Sequence, residues 1–230
     1  MRAVLLERKF TIDDIGKDLL LEGDSARHLI KVIRIKKFEK VLILNGLGSK
    51  CEVEIKHIDR KSLTFNVITV EEVVDERKLS LFLGLPKKEA FESIVKMAAE
   101  IGIKNLYLFR SEYSQQTIEI GERVERLEES AIVQSNNPFK INFLEVSSFE
   151  EVFEKYLNIV HFSTFSATNS NSKVFEGEVL MIIGPEAGFS GEEEKTINGY
   201  ANVTTINLDT NIMRAPTAFA VASGYILKSF

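Results

Sequence analysis

What the chain lacks sets its first limits. A single cysteine, Cys51, excludes an internal disulfide, and the only histidines, His28, His57 and His161, are too scattered to build a zinc site, so no structural metal is expected. No apolar run approaches the ~18 residues of a membrane span, and Met1–Phe10 lacks the basic-then-apolar order of a secretory leader, so a cytoplasmic protein without membrane association is expected. The phosphate loop G-x-x-x-x-G-K-[ST] is missing, because Gly46-Leu47-Gly48-Ser49-Lys50 has the wrong spacing, and G-x-G-x-x-G is missing too. Nucleotide hydrolysis and a dinucleotide site are thereby disfavoured. Gly188-Phe189-Ser190-Gly191 is not the five-residue nucleophile elbow, which leaves Ser190 as a helix cap.

What is present is enough for a proper core: 230 residues, 44% of them hydrophobic, can form one large or two modest domains. The net charge of -5 is unevenly spread. Residues 1–72 carry 14 Lys+Arg and 12 Asp+Glu, a net of +2, and the remainder carries -7. That division suits an N-terminal part that approaches a polyanion and a C-terminal part with another task.

The N-terminal part reads as short strands at Leu19–Leu21, Val41–Asn45, Cys51–His57 and Leu63–Val70, with Asn45-Gly46 and Gly48 marking a tight turn; a small barrel would hide their edges. One helix, capped by Asp24 and running from Ser25 to about Ile33, turns Leu29, Ile30 and Ile33 inward and Arg27, His28, Lys31 and Arg34 outward. Six Lys/Arg and one acid lie between Arg27 and Lys40. This run reads either as phosphate contacts for an RNA or as a solvated helix face. Glu71–Lys78 breaks the alternation, and the domain boundary is placed there, giving domains 1–72 and 73–230.

From Leu79 onward, strands and helices follow in series: a strand at Leu79–Leu85, a helix over Lys88–Ile101 closed by Gly102, a strand at Lys104–Phe109, a helix over Glu122–Ser135, a helix begun by Ser148 and Glu151, and a strand at Ile159–Thr164. A mostly parallel sheet covered by helices is the architecture this order predicts. The charged runs Glu125, Glu128, Glu129 and Glu192, Glu193, Glu194 read as exposed helix faces.

The remainder is organised around Val179–Glu193. Val179–Ile183 is an apolar run ended by Gly184 and Pro185, and Ser190 with Glu193 forms a capping box, so the stretch reads as strand, glycine turn, helix. Val203–Leu208, the turn Asp209–Arg214 and a helix with Pro216 in its first turn repeat the arrangement. The two turns are either connections or the two walls of a ligand site at the carboxyl ends of the strands.

With these residues in view, the chain resembles the RsmE family of 16S rRNA uridine-N3 methyltransferases, a branch of the SPOUT superfamily. The matching stretches are His28-Leu29 with Val32-Ile33-Arg34, Ala98–Gly102 (AAEIG, like ATELG), Arg110-Ser111, Ala131 with Gln134-Ser135, Ile183–Phe189 (IGPEAGF, like IGPEGGF) and Ile212–Ala218 (IMRAPTA, like ILRTETA). The resemblance implies a PUA-like β-barrel followed by an α/β domain with a deep trefoil knot. It also implies a homodimer that uses S-adenosyl-L-methionine to methylate ring N3 of a uridine in small-subunit (16S) ribosomal RNA. The cofactor would be held by Thr164, Phe165, Ser166 and Ala167, by Ile183, Gly184, Pro185, Glu186 and Gly188, and by Leu208, Ile212, Met213, Arg214, Ala215 and Thr217. Arg27, His28, Lys31, Arg34 and Gln134 would face the RNA.

The departures from the family pattern fall on polar positions. Asn137 and Asn211 stand where the pattern has arginines, Val133 and Pro216 where it has glutamates, and Asp209 and Ala187 where it has glycines. Arg214 is then the remaining cation of its loop and the candidate for stabilising the uridine anion, with no His or carboxylate base evident. Ribose 2′-O-methylation, or a dimeric rRNA-binding module without catalysis, are the alternative readings.

Overall fold

Apolar and charged residues alternate along the middle of the first 75 residues, and that period-two pattern dictates strands with one buried face. The computed structural model describes residues 1–114, 119–163, 174–208 and 210–230. The chain divides into two compact units, Met1–Asp75 with Glu129–Lys140, and Glu76–Glu128 with Ile141–Phe230.

The first unit carries β1 (Arg2–Leu5), β2 (Asp18–Glu22), α1 (Gly23–His28), β3 (Lys40–Leu44), β4 (Ser49–Ile58) and β5 (Ser62–Glu72). Its sheet has the order β1-β3-β4-β5-β2, with β1 and β3 parallel and the other pairs antiparallel. Cys51, Val53 and Ile55 of β4 and Leu63, Phe65 and Val67 of β5 are buried in one core with Val4, Phe10, Val41 and Ile43. Each such aliphatic or aromatic side chain contributes roughly 1.5–3 kcal/mol on leaving water, whereas Glu52 and Glu54 on the other face of β4 are only partly covered. The Asn45 side chain organises the β3–β4 turn by accepting the Leu47 and Ser49 N–H groups at 2.8 Å each.

The four expected strands are present, and β1 was not anticipated. Asp24 is not the helix cap. The helix starts at Gly23 after Glu22, and Asp24 lies in the first turn, where its carboxylate pairs with Arg27 at 3.0 Å. Beyond His28 the helix widens into one π-type turn, Leu29–Ile33, which Arg34 ends in the left-handed conformation (φ 57°). The Arg2 guanidinium donates to the Ile33 carbonyl at 2.7 Å and so satisfies a group the helix end leaves free.

The second unit contains β6 (Leu79–Gly84), α2 (Lys88–Ile101), β7 (Asn105–Phe109), the start of α3 (Glu122–Ser135), β8 (Asn142–Val146), α4 (Glu150–Phe153), β9 (Asn158–Phe162), β10 (Val179–Ile183), α5 (Gly191–Asn198), β11 (Val203–Ile206) and α6 (Ala215–Leu227). Every pairing in its six-stranded sheet, order β11-β9-β10-β6-β7-β8, is parallel. Each residue of β6 and β10 is buried, as expected of central strands covered on both faces. From β6 the chain builds outward through β7 and β8, then returns to place β9 and β10 on the other side. The order therefore reverses at β6 and β10, and crevices form at such reversals.

Helix α2 ends at Gly102 with φ 85°, which an L side chain rarely adopts. The helix begun by Ser148 and Glu151 is a single turn, Glu150–Phe153. Of the acidic runs expected to be exposed, Glu128 is buried instead, because its carboxylate accepts the Ile141 N–H at 2.5 Å. Among the described residues no helix is long and apolar enough to cross a membrane, and no group of three or more His, Cys, Asp or Glu could hold a metal.

Candidate ligand cleft and basic surface

The apolar run of β10 has to stop where Gly184 and Pro185 remove a side chain and a ladder donor. A Cβ on Gly184 would lie 3.2 Å from the Gly188 Cα and 3.3 Å from the Phe189 ring. The neighbouring strand imposes the same restriction, since a Cβ on Gly84 would lie 2.7 Å from Pro185 Cδ. Gly188 closes the turn by donating to the Pro185 carbonyl at 2.9 Å and has φ 76°. Ala187 is not among the positive-φ residues, so alanine is accommodated there.

Helix α5 follows at once, capped as the sequence predicts. Ser190 Oγ accepts the Glu193 N–H at 3.4 Å and the Glu193 carboxylate accepts the Ser190 N–H at 2.8 Å. The other Glu193 oxygen accepts the Glu112 N–H at 2.8 Å, which ties α5 to the segment after β7. The Glu186 carboxylate accepts the Lys87 N–H at 3.0 Å, joining the glycine turn to the start of α2.

A cleft opens at these carboxyl ends. It is walled by His161, Phe162 and Ser163 from β9 and its end, by residues 183–189, by Glu194 of α5, and by Ile212, Met213, Ala215 and Ala218 from the second turn and α6. The structure thus brings together Ile183, Gly184, Pro185, Glu186, Gly188, Ile212, Met213 and Ala215 of the expected site. Leu208 and Thr217 do not line it. Thr164, Phe165, Ser166, Ala167 and Asp209 lie outside the described residues. Arg214, exposed at the N-cap of α6, faces an adjoining cleft with Lys87, Ser93, Glu186 and Pro216. Glu186 borders both spaces. Pro216 occupies the first turn of α6, where its missing N–H costs nothing.

Two polar residues of the cleft were missed by sequence reasoning. Burial lowers the His161 pKa to about 4, so its imidazole is neutral at pH 7. Its Nε2 lies 3.4 Å from a Glu194 carboxylate oxygen, and its buried Nδ1 has no hydrogen-bond partner among the described residues. Burial raises the Glu194 carboxyl, against hydrogen bonds from Ser163 and Asn198 that lower it. Glu194 is therefore partly buried rather than the exposed residue expected from Glu192–Glu194. An Ile-Val-His run in a strand carries no signal that its histidine meets a carboxylate from a helix two elements further on.

The basic residues lie in the first unit. Arg27, His28, Lys31 and Arg34 are exposed on α1 and the turn after it, as expected, and Gln134 is exposed on α3. Leu29 is buried beneath them, with Ile30 and Ile33 packed partly against the same core.

Known proteins are similar to this chain along nearly its whole length. Residues 74–227 match the family model described as RNA methyltransferase domain, and residues 21–68 match the one described as RNA methyltransferase PUA domain. The chain is 23% identical over 211 residues to a Rickettsia conorii protein named ribosomal RNA small subunit methyltransferase E, covering 88% of this chain and 86% of that one. A Helicobacter pylori protein of the same name is 26% identical over 224 residues, covering 94% and 98%. Among solved structures, a ribosomal RNA small subunit methyltransferase E from Neisseria gonorrhoeae bound to S-adenosyl methionine has a TM-score of 0.84 at 18% identity, covering 99% of this chain and 97% of that one. A putative methyltransferase from Legionella pneumophila in complex with the same cofactor has a TM-score of 0.79 at 21% identity, covering 98% and 96%.

Proposed function

Since this chain belongs to the RNA methyltransferase domain family, with a PUA domain of the same family before it, we propose that it is an S-adenosylmethionine-dependent rRNA methyltransferase. Its substrate is ring N3 of a uridine in 16S ribosomal RNA. The observation that carries this reading is the cleft at the carboxyl ends of β9 and β10, where glycines expose backbone groups and two turns face one space. Relatives of nearly the same length carry the rRNA methyltransferase name, and two solved structures of the same fold hold the cofactor.

The residues fit the group. Gly184 leaves room that a Cβ would take, and Ile183, Pro185, Ile212, Met213 and Ala215 supply apolar walls for an adenine ring. When bound, S-adenosylmethionine supplies the electrophilic methyl group. The chain's own task is to hold the uridine in line and to stabilise it as N3 gives up its proton to solvent and negative charge spreads onto O2 and O4. Arg214 is the proposed stabiliser. Among the described residues no carboxylate pairs with it, and Lys87 lines the same cleft as a second cation. The first unit supplies RNA contacts through Arg27, His28, Lys31, Arg34 and Gln134.

This reading also takes the domains as 1–72 for RNA binding and 73–230 for methyl transfer. Thr164–Ala167, Gly184–Gly188 and Leu208–Ala215 would be the loops of a trefoil knot, and the active form a cytoplasmic homodimer. Leu208 and Thr217 would then act from behind the cleft wall. Calorimetric titration with S-adenosylmethionine tests the proposal: saturable one-site binding is expected, and no binding would contradict it.

A further inference from the structure

Glu194 has a partly buried carboxylate with no cationic partner among the described residues. The side chain is 18% exposed, and among the described residues the basic group beside it is His161, which burial keeps neutral. A carboxylate in that position is costly unless donors surround it. Among the described residues the donors to it are few, the Ser163 hydroxyl at 3.5 Å and the Asn198 amide, while the His161 Nε2 lies 3.4 Å away without a hydrogen bond. Two oxygens offer about four acceptor sites, so with those two donors about two remain, as many as a diol needs. They remain on the side of the cleft, because Glu194 lines both the ligand cleft and an adjoining space bordered by Tyr113, Ser163, Ala187 and Asn198.

We propose that Glu194 accepts the hydroxyl pair of the cofactor's ribose. This rests on the cofactor reading above and assigns a residue to one part of that molecule. A carboxylate and a vicinal diol match as two acceptors and two donors, and acidic residues take ribose hydroxyls in the same way in dinucleotide-binding folds. The other feature of such a cofactor that would attract a carboxylate is its positive charge, at sulfur or at the amino group. Methyl transfer removes the sulfonium charge, so a carboxylate against sulfur would stabilise the ground state more than the transition state and slow the reaction. A hydroxyl pair remote from the reacting atoms carries no such penalty. His161 acts through Glu194. Its ring lies with Nε2 3.4 Å from the carboxylate and so limits how the oxygens can turn, and its Nδ1 is buried with no hydrogen-bond partner among the described residues.

The test is calorimetry on the full chain with S-adenosylmethionine, S-adenosylhomocysteine and the 2′,3′-dideoxy analogue of the latter. Glu194→Gln, which keeps the shape, should weaken the first two equally, by about 10- to 100-fold. It should leave the dideoxy analogue unchanged, and His161→Phe should show a smaller loss with the same dependence on the hydroxyls. Wild-type protein should itself prefer S-adenosylhomocysteine to the analogue by a similar factor, a comparison that needs no variant to fold. Equal wild-type affinity for the two, or a Glu194→Gln loss confined to S-adenosylmethionine, would overturn the assignment. Absence of binding by wild-type protein would instead overturn the cofactor reading itself.

Discussion

The Glu186 carboxylate accepts the backbone N–H of Lys87 at 3.0 Å across 99 residues of sequence. The turn after β10 is thereby fastened to the start of α2, and the two clefts share that fastening as a wall. Removing it with Glu186→Ala should cost about 0.5–1.5 kcal/mol of stability and weaken cofactor binding several-fold, whereas Glu186→Gln, which keeps an acceptor, should retain most of both. Urea denaturation and calorimetry on the two variants would measure the difference, and identical behaviour of Ala and Gln would show that the hydrogen bond is idle.

Gly184 should tolerate no side chain. The Gly188 Cα lies 3.2 Å from where a Cβ would sit, so Gly184→Val must displace the turn, and binding of S-adenosylmethionine should be abolished while the fold persists. Gly84→Ala tests the same turn from the neighbouring strand, because its Cβ would meet Pro185 at 2.7 Å. Unchanged affinity in both variants would place the ligand elsewhere.

The basic segment should govern RNA binding alone. Changing Arg27, Lys31 and Arg34 together to Ala should weaken rRNA association and flatten its salt dependence, by roughly 0.9 in log-log slope for each duplex phosphate no longer neutralised. Cofactor affinity should not move. A wild-type salt slope in the triple variant would identify the segment as a solvated face.

Acid should destabilise the protein through His161. Its folded pKa of about 4 lies below the ordinary 6.5, so the unfolded chain binds more protons between those values and stability falls as pH is lowered through that window. The full effect is on the order of 3 kcal/mol. The raised Glu194 carboxyl works in the opposite direction just above its ordinary value. Denaturation at pH 7 and pH 5 should show a smaller pH dependence in His161→Leu than in wild type, and equal dependence would mean that His161 is not buried as a neutral ring.

Much of this was legible in residue order. Helices α2 and α3, strand β10 and the Ser190–Glu193 box follow from local patterns that tertiary structure had no reason to override. Four-residue β1 carries too little pattern to be recognised, and β8 lies at the sheet edge with mostly exposed side chains, where alternation has no core to report. Asp24 misled because any Asp before an apolar period imitates a cap. The Glu186–Lys87 fastening and the His161–Glu194 pair were illegible for a different reason. Each joins residues from separate strand-helix units, and a charged residue in a charged run looks exposed until the fold covers it. Glu128 was misread in the same way.

Arg214 should affect turnover more than cofactor affinity. A guanidinium aimed at the uridine anion strengthens as charge develops, so Arg214→Ala should slow single-turnover methyl transfer by ~10²–10³-fold, and Arg214→Lys should restore only part of the rate. Wild-type rates in Arg214→Ala would make the residue structural.

Methyl transfer to uridine N3 can be read out by incubating small-subunit RNA that lacks the modification with this protein and isotopically labelled S-adenosylmethionine, then digesting it to nucleosides for mass spectrometry. Label is expected in 3-methyluridine, dependent on Arg214. Label in a 2′-O-methylated nucleoside, or none in the RNA, would contradict the proposed reaction.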